Sequence, residues 1–76
     1  MITGEQIKAA RELLGWTRFQ LGQRANLHAA IVERAEGAKG ALPINPYQRA
    51  LLRDALEGAG VEFTYGDEPG VRLRTR

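Results

Sequence analysis

The apolar positions of this chain keep one period up to residue 56 and another after residue 60. In the first stretch they recur every three or four residues, which places a stripe on one side of a helix; in the second they alternate, which places them on one face of a strand. Thr3 with Gln6 three residues later forms a capping box, and Ile7, Ala10 and Leu14 follow at helical spacing until Gly15. This predicts a first helix from about Gly4 to Leu14. Thr17 with Gln20 repeats the box at once, so a second helix spans about residues 17–25, with Leu21 and Ala25 turned inward. The join at Gly15-Trp16 is tight, and Trp16 is expected to pack there as a core aromatic rather than to stack on a ligand.

Asn26 ends the second helix. After glycine, asparagine is the residue best able to adopt the left-handed backbone conformation, and a chain reversing between two helices needs that conformation. Leu27 then plugs the corner, and a third helix is expected over about residues 28–36, stopped by Gly37. Val32 and Ala35, in phase with Leu27, point inward. Ala29, Ala30, Ile31, Glu33 and Arg34 are left on or near the outer side. Residues 37–44 have loop chemistry, and Asn45-Pro46 supplies an N-cap with a proline at the first helical position. The inner positions of the fourth helix are Leu51, Leu52, Ala55 and Leu56, and Ala59-Gly60 ends it. The alternation beyond gives a hairpin whose apolar face consists of Val61, Phe63, Tyr65, Val71 and Leu73, with turn residues from Gly66 to Gly70. Two strands alone are marginal, so this face must be covered by a helix or by another subunit.

Size keeps these elements together: 76 residues with one Trp, two Phe and two Tyr form one small core and no second domain. Residues 1–60 make the helical part and residues 61–76 a hairpin with a basic tail belonging to the same domain. Hydrophobic residues at 43% and charged residues at 26% lie in the globular range. The absence of cysteine removes disulfides and thiolate ligands together, which points to a reducing, soluble compartment. No apolar run is long enough to cross a bilayer, and the N-terminal charges are spread along a helical pattern rather than ordered as in a secretory leader.

The chain carries a net charge of +2, which permits an anionic partner without identifying one. The cations are placed at Arg18, Arg24, Arg34 and Lys39 and in the C-terminal run Arg72, Arg74 and Arg76. One histidine, no cysteine and scattered carboxylates assemble no nucleophile, base and orienter, so an enzyme is not expected. His28 alone makes no metal site, and no cofactor is expected. Asp54 and Glu57 lie at helical spacing as ordinary solvated charges.

Two helices meeting at a short turn with a left-handed residue form a helix-turn-helix, whose second helix is of a size to enter the major groove of B-DNA. The stretch TRFQLGQRANLHAAIVERAEG, Thr17 to Gly37, resembles the phage-repressor and Cro-like family of bacterial regulators, also called the xenobiotic-response-element family. Its core runs Ser or Thr, three residues, Leu-Ala, two residues, Ala-Gly-Val-Ser, a variable triplet, Ile, two residues, Ile-Glu, one residue, Gly. Thr17, Leu21, Ala25, Leu27, Val32 and Glu36 match it, with Gly22 and Asn26 as small or turn-forming replacements. ITGEQIKAARELLGW before it, and ALEGAGVEF with GVRLR after it, also look like small members of that family.

The resemblance implies a mainly α, four-helix, lambda-repressor-like domain with a C-terminal β-hairpin, acting in the cytoplasm at the nucleoid. It implies a sequence-specific DNA-binding regulator, a repressor by promoter occupancy, that binds double-stranded DNA. The open edges of the short hairpin offer a homodimer link between two such units, with sealing of the monomer core as the competing account. The DNA-facing set is Thr17, Arg18, His28, Ala29, Ala30, Ile31, Arg34 and Lys39. Arg34, whose fork fits guanine O6 and N7, is the foremost candidate, with an ion pair to Glu36 as the competing account. His28 stands where the family carries a Ser or Thr cap. The triplet Ala29-Ala30-Ile31 departs from the pattern, because operator-reading relatives carry hydrogen-bonding side chains there. Such an apolar face also suits a polypeptide, so the runner-up is a protein-interaction module, an antitoxin or adaptor, on the same scaffold.

Overall fold

The computed structural model describes residues 2–67 and 69–74. Met1, Glu68 of the expected turn, and Thr75 and Arg76 of the expected basic tail lie outside the described residues. Within them the chain is mainly helical and ends in a two-stranded antiparallel hairpin. The elements run α1 (Gly4–Leu13), α2 (Arg18–Ala25), α3 (Ala29–Glu36), α4 (Pro46–Gly58), β1 (Val61–Thr64) and β2 (Gly70–Leu73). No helix among the described residues is long and apolar enough to cross a membrane.

Local chemistry sets the helix starts. Thr3 Oγ1 accepts from the Gln6 N–H and Gln6 Oε1 accepts from the Thr3 N–H, at 3.1 and 2.9 Å. Thr17 with Gln20 and Asn45 with Gln48 form the same reciprocal pair, so three of four helices begin on a capping box. The expected ends hold to within a residue: Leu14 is the C-cap of α1 rather than its last turn.

The core gathers Ile7, Ala10, Leu21, Ala25, Val32, Ala35, Leu52, Leu56 and Val61, and two residues outside the periodic pattern, Ile2 and Leu42, close it. Three expectations of burial need correction. Leu51 and Ala55 are only half-buried, because α4 turns the narrower Leu52 and Leu56 stripe to the core. Trp16 is half-buried against the core rather than inside it, and the Arg24 guanidinium lies over its ring at 5.0 Å. The hairpin face is covered only in part: Val61 is buried, Phe63 and Val71 pack on the core half-exposed, and Leu73 is 44% and Tyr65 56% exposed, Tyr65 lying beyond the end of β1.

Two contacts of small size hold the layers at short range. Gly4 sits so close to the end of α3 that a Cβ there would collide with Ala35 O. Gln6, 2% exposed, donates from Nε2 to Thr64 O at 2.8 Å and Gly70 O at 3.0 Å. One amide side chain thus caps α1 and fastens the turn end of the hairpin to it, which leaves neither its oxygen nor its nitrogen unpaired in the interior.

Candidate nucleic-acid interface

The corner between α2 and α3 is built from three residues. Asn26 has φ 58° and ψ 43°, the left-handed conformation expected of it, and is the one residue other than glycine with positive φ among the described residues. The Leu27 N–H then returns to Gly22 O at 2.8 Å. A Cβ on Gly22 would stand 2.6 Å from Leu27 O, so the approach of the turn to α2 requires glycine there. His28 closes the turn as the N-cap of α3: its Nδ1 accepts from the Ala30 N–H at 3.0 Å, doing what a serine oxygen does in a conventional cap. This fixes Nδ1 as the unprotonated nitrogen in that arrangement.

At the opposite end of α3 the chain buries a charge. Glu36 has a side chain 1% exposed and receives Arg11 Nε at 2.7 Å, Arg11 Nη2 at 3.1 Å and Arg18 Nε at 3.2 Å. Arg11 also donates from Nη1 to Trp16 O at 2.9 Å, so its fork joins α1, the α1–α2 join and α3. Hydrogen bonding to Glu36 pushes the Arg11 guanidinium above its usual range, against the opposing effect of burial. Glu36 is a residue whose structural part was missed in the sequence. The signal was present, since Val32, Ala35 and Glu36 share one helical face and a carboxylate in an apolar stripe needs a partner.

The expected site residues separate into groups. Thr17 and Arg18 lie at the N-terminus of α2, where the capping box uses the Thr17 and Gln20 backbone N–H groups but leaves those of Arg18 and Phe19 without a partner among the described residues. Arg18 is 45% exposed and anchored through Nε, with Nη1 and Nη2 unpaired among the described residues. His28 and Ala30 are exposed and Ala29 and Ile31 half-buried at the start of α3. Arg34 is exposed in its last turn and, among the described residues, forms no ion pair, so the Glu36 partner weighed for it is taken by Arg11 and Arg18 instead.

Lys39 is not brought to that group's leading edge. It lies past the end of α3, one eight-residue helix or about 12 Å of rise away from His28, and lines a surface pocket with Thr3, Glu5, Gln6 and Gly70. Phe19 was given no part by the sequence pattern and is 64% exposed on α2. Asp54 and Glu57 flank Arg53 on the surface of α4 at 3.7 and 3.8 Å. Among the described residues no cluster of His, Asp and Glu is arranged to hold a metal ion. No protein-family model matches the chain, and comparison with curated proteins yields no match.

Proposed function

We propose that this chain is a helix-turn-helix regulator of the lambda-repressor-like kind that binds double-stranded DNA with α3 in the major groove and blocks a promoter by occupancy. The observation that carries the reading is the corner: Asn26 in the left-handed conformation and Gly22 against Leu27 O hold α3 at a fixed angle to α2, with the outer side of α3 open. The N-terminus of α2 supports it. Two backbone N–H groups and two Arg18 nitrogens that have no partner among the described residues lie there beside the Thr17 hydroxyl, a set suited to a phosphate oxygen. Glu36 holds Arg18 in place, so less side-chain freedom is lost when phosphate arrives. Arg34 is the side chain with the reach and the fork to pair a base edge.

A repressor of this size needs a second copy to span two half-sites one helical turn apart. The hairpin offers an edge for it. The Arg74 N–H donates to Gly60 O at 2.7 Å, which sets the phase of the ladder: Glu62 with Arg72 and Thr64 with Gly70 exchange hydrogen bonds, and the peptide groups of Val61, Phe63, Val71 and Leu73 face away from the partner strand. On β1 that edge starts at Val61, which is 1% exposed, whereas on β2 it ends at Leu73, which is 44% exposed. Leu73 is therefore the most exposed apolar side chain of the ladder, and Arg72 beside it is already paired with Glu62 at 2.9 Å.

The test is a selection of bound fragments from genomic DNA, followed by titration over a range of salt. Specific duplexes should be enriched, and their binding should weaken steeply as salt rises. Binding that shows no preference over random duplex at low salt would overturn the reading in favour of a protein-interaction module using the same apolar face.

A further inference from the structure

The first turn of α3 carries only carbon where it would meet the bases. Ala30 is exposed and Ala29 and Ile31 are half-exposed, and none has a donor or acceptor in its side chain. The polar groups around that turn are committed in part, which leaves the outer nitrogens of Arg18 and Nε2 of the N-cap His28 for the phosphates on either side. His28 Nδ1 is occupied by the Ala30 N–H, Arg18 Nε by Glu36, and Arg24 lies over Trp16. One turn further on, Glu33 and Arg34 are exposed and form no ion pair among the described residues, so α3 has an apolar leading turn and a polar trailing one.

In the major groove, adenine, guanine and cytosine present donors and acceptors, while thymine adds a C5-methyl group, the one apolar feature of the four bases. A polar base edge set against Ala30 or Ile31 loses its water and gains no partner; a thymine methyl set there buries apolar surface on both sides. Alanine side chains are also short enough for the helix backbone to approach the groove floor. Resting on the DNA-binding reading above, we infer that the leading turn of α3 selects its sites by thymine C5-methyl groups, with hydrogen-bonded base readout by α3's own side chains left to Glu33 and Arg34 in the following turn.

Deoxyuridine provides the test, because it pairs with adenine as thymine does and lacks only the methyl group. A duplex selected by the intact protein is resynthesised with deoxyuridine at each thymine in turn and at all together, and binding is measured at fixed salt. Each thymine under Ala29, Ala30 or Ile31 should lose about fourfold in affinity on removal of its methyl, and two such losses about fifteenfold. Ala30→Gln, confirmed as folded by its thermal transition, should lose this deoxyuridine sensitivity at one position and shift its preference there toward adenine. If the fully substituted duplex binds as well as the thymine duplex while both outcompete random sequence, methyl recognition is wrong and DNA recognition stands. If no duplex outcompetes random sequence, both fall, and the apolar turn belongs to a polypeptide partner.

Discussion

Arg11 on α1 and Glu36 at the end of α3 meet in a two-pronged ion pair, Nε to Oε2 at 2.7 Å and Nη2 to Oε1 at 3.1 Å, with both side chains largely withdrawn from solvent. Charges taken out of water repay that cost only where hydrogen bonds are complete, and here the third approach to the carboxylate comes from Arg18. The α2–α3 corner is thereby tied to α1 at the end remote from the turn.

Removing Arg11 leaves a buried carboxylate with one half-exposed partner. Arg11→Ala should lower stability by about 3 kcal/mol. Arg18→Ala, which removes a partner 45% exposed, should cost less than about 1 kcal/mol. Urea titration of the two variants measures both, and equal losses would show that Arg18 carries as much of Glu36 as Arg11 does.

The corner makes two demands of opposite kind. Gly22→Ala gains helix propensity of up to about 1 kcal/mol, yet its Cβ would press on Leu27 O from 2.6 Å, and the net effect should be a loss of about 1–3 kcal/mol. Asn26→Gly should leave the melting temperature near its original value, and Asn26→Val should lower it, since a branched side chain crowds φ 58°. Thermal unfolding checks the series; a Gly22→Ala protein as stable as its parent would mean that α2 and the turn separate freely.

Arg34, on the outer side of α3 and without an ion pair among the described residues, should matter to binding and not to folding. Arg34→Ala is expected to weaken specific DNA binding by about 1–3 kcal/mol and to relax one base position. Its melting temperature should not move. A uniform loss across all sequences would reassign the guanidinium to a phosphate, and an unchanged affinity would remove it from the interface.

For Gln6 the reverse holds. Gln6→Leu fits the apolar surroundings but withdraws the donors to Thr64 O and Gly70 O, together with half of the capping box, and should cost about 1–3 kcal/mol. Amide exchange should speed up in residues 61–74 more than in α4. Protection lost evenly over the whole chain would mean that hairpin and helices open as one unit.

The exposed Leu73 at the end of the hairpin predicts the effect of a charge on self-association. Leu73→Glu, at a position 44% exposed, should leave the monomer folded, shift sedimentation toward monomer, and remove the advantage of a two-half-site duplex over a single half-site. An unchanged sedimentation profile in the folded variant would take the hairpin out of the dimer.

What the sequence determined by itself is whatever is settled within a few residues of chain. The capping boxes at Thr3 and Thr17, the proline after Asn45, the left-handed Asn26 and the change of period at Gly60 all follow from backbone groups and side chains three or four positions apart, and such interactions are written locally. The residues expected to face DNA came from a family resemblance and from the same helical phase. Tertiary structure alone decided where the ambiguous residues went. Gln6 and Glu36 occupy apolar stripes, and a polar residue there is burial with a partner or a helix turned outward; the choice rests on Thr64, 58 residues away, and Arg11, 25 residues away. Phe19, Tyr65 and Leu73 are apolar yet exposed, because a chain this small has more apolar side chains than its core can enclose. Lys39 lies past the end of α3, as its place after Gly37 already implied, but that it lines a pocket with Thr3, Gln6 and Gly70 was decided by packing between residues more than 30 positions apart.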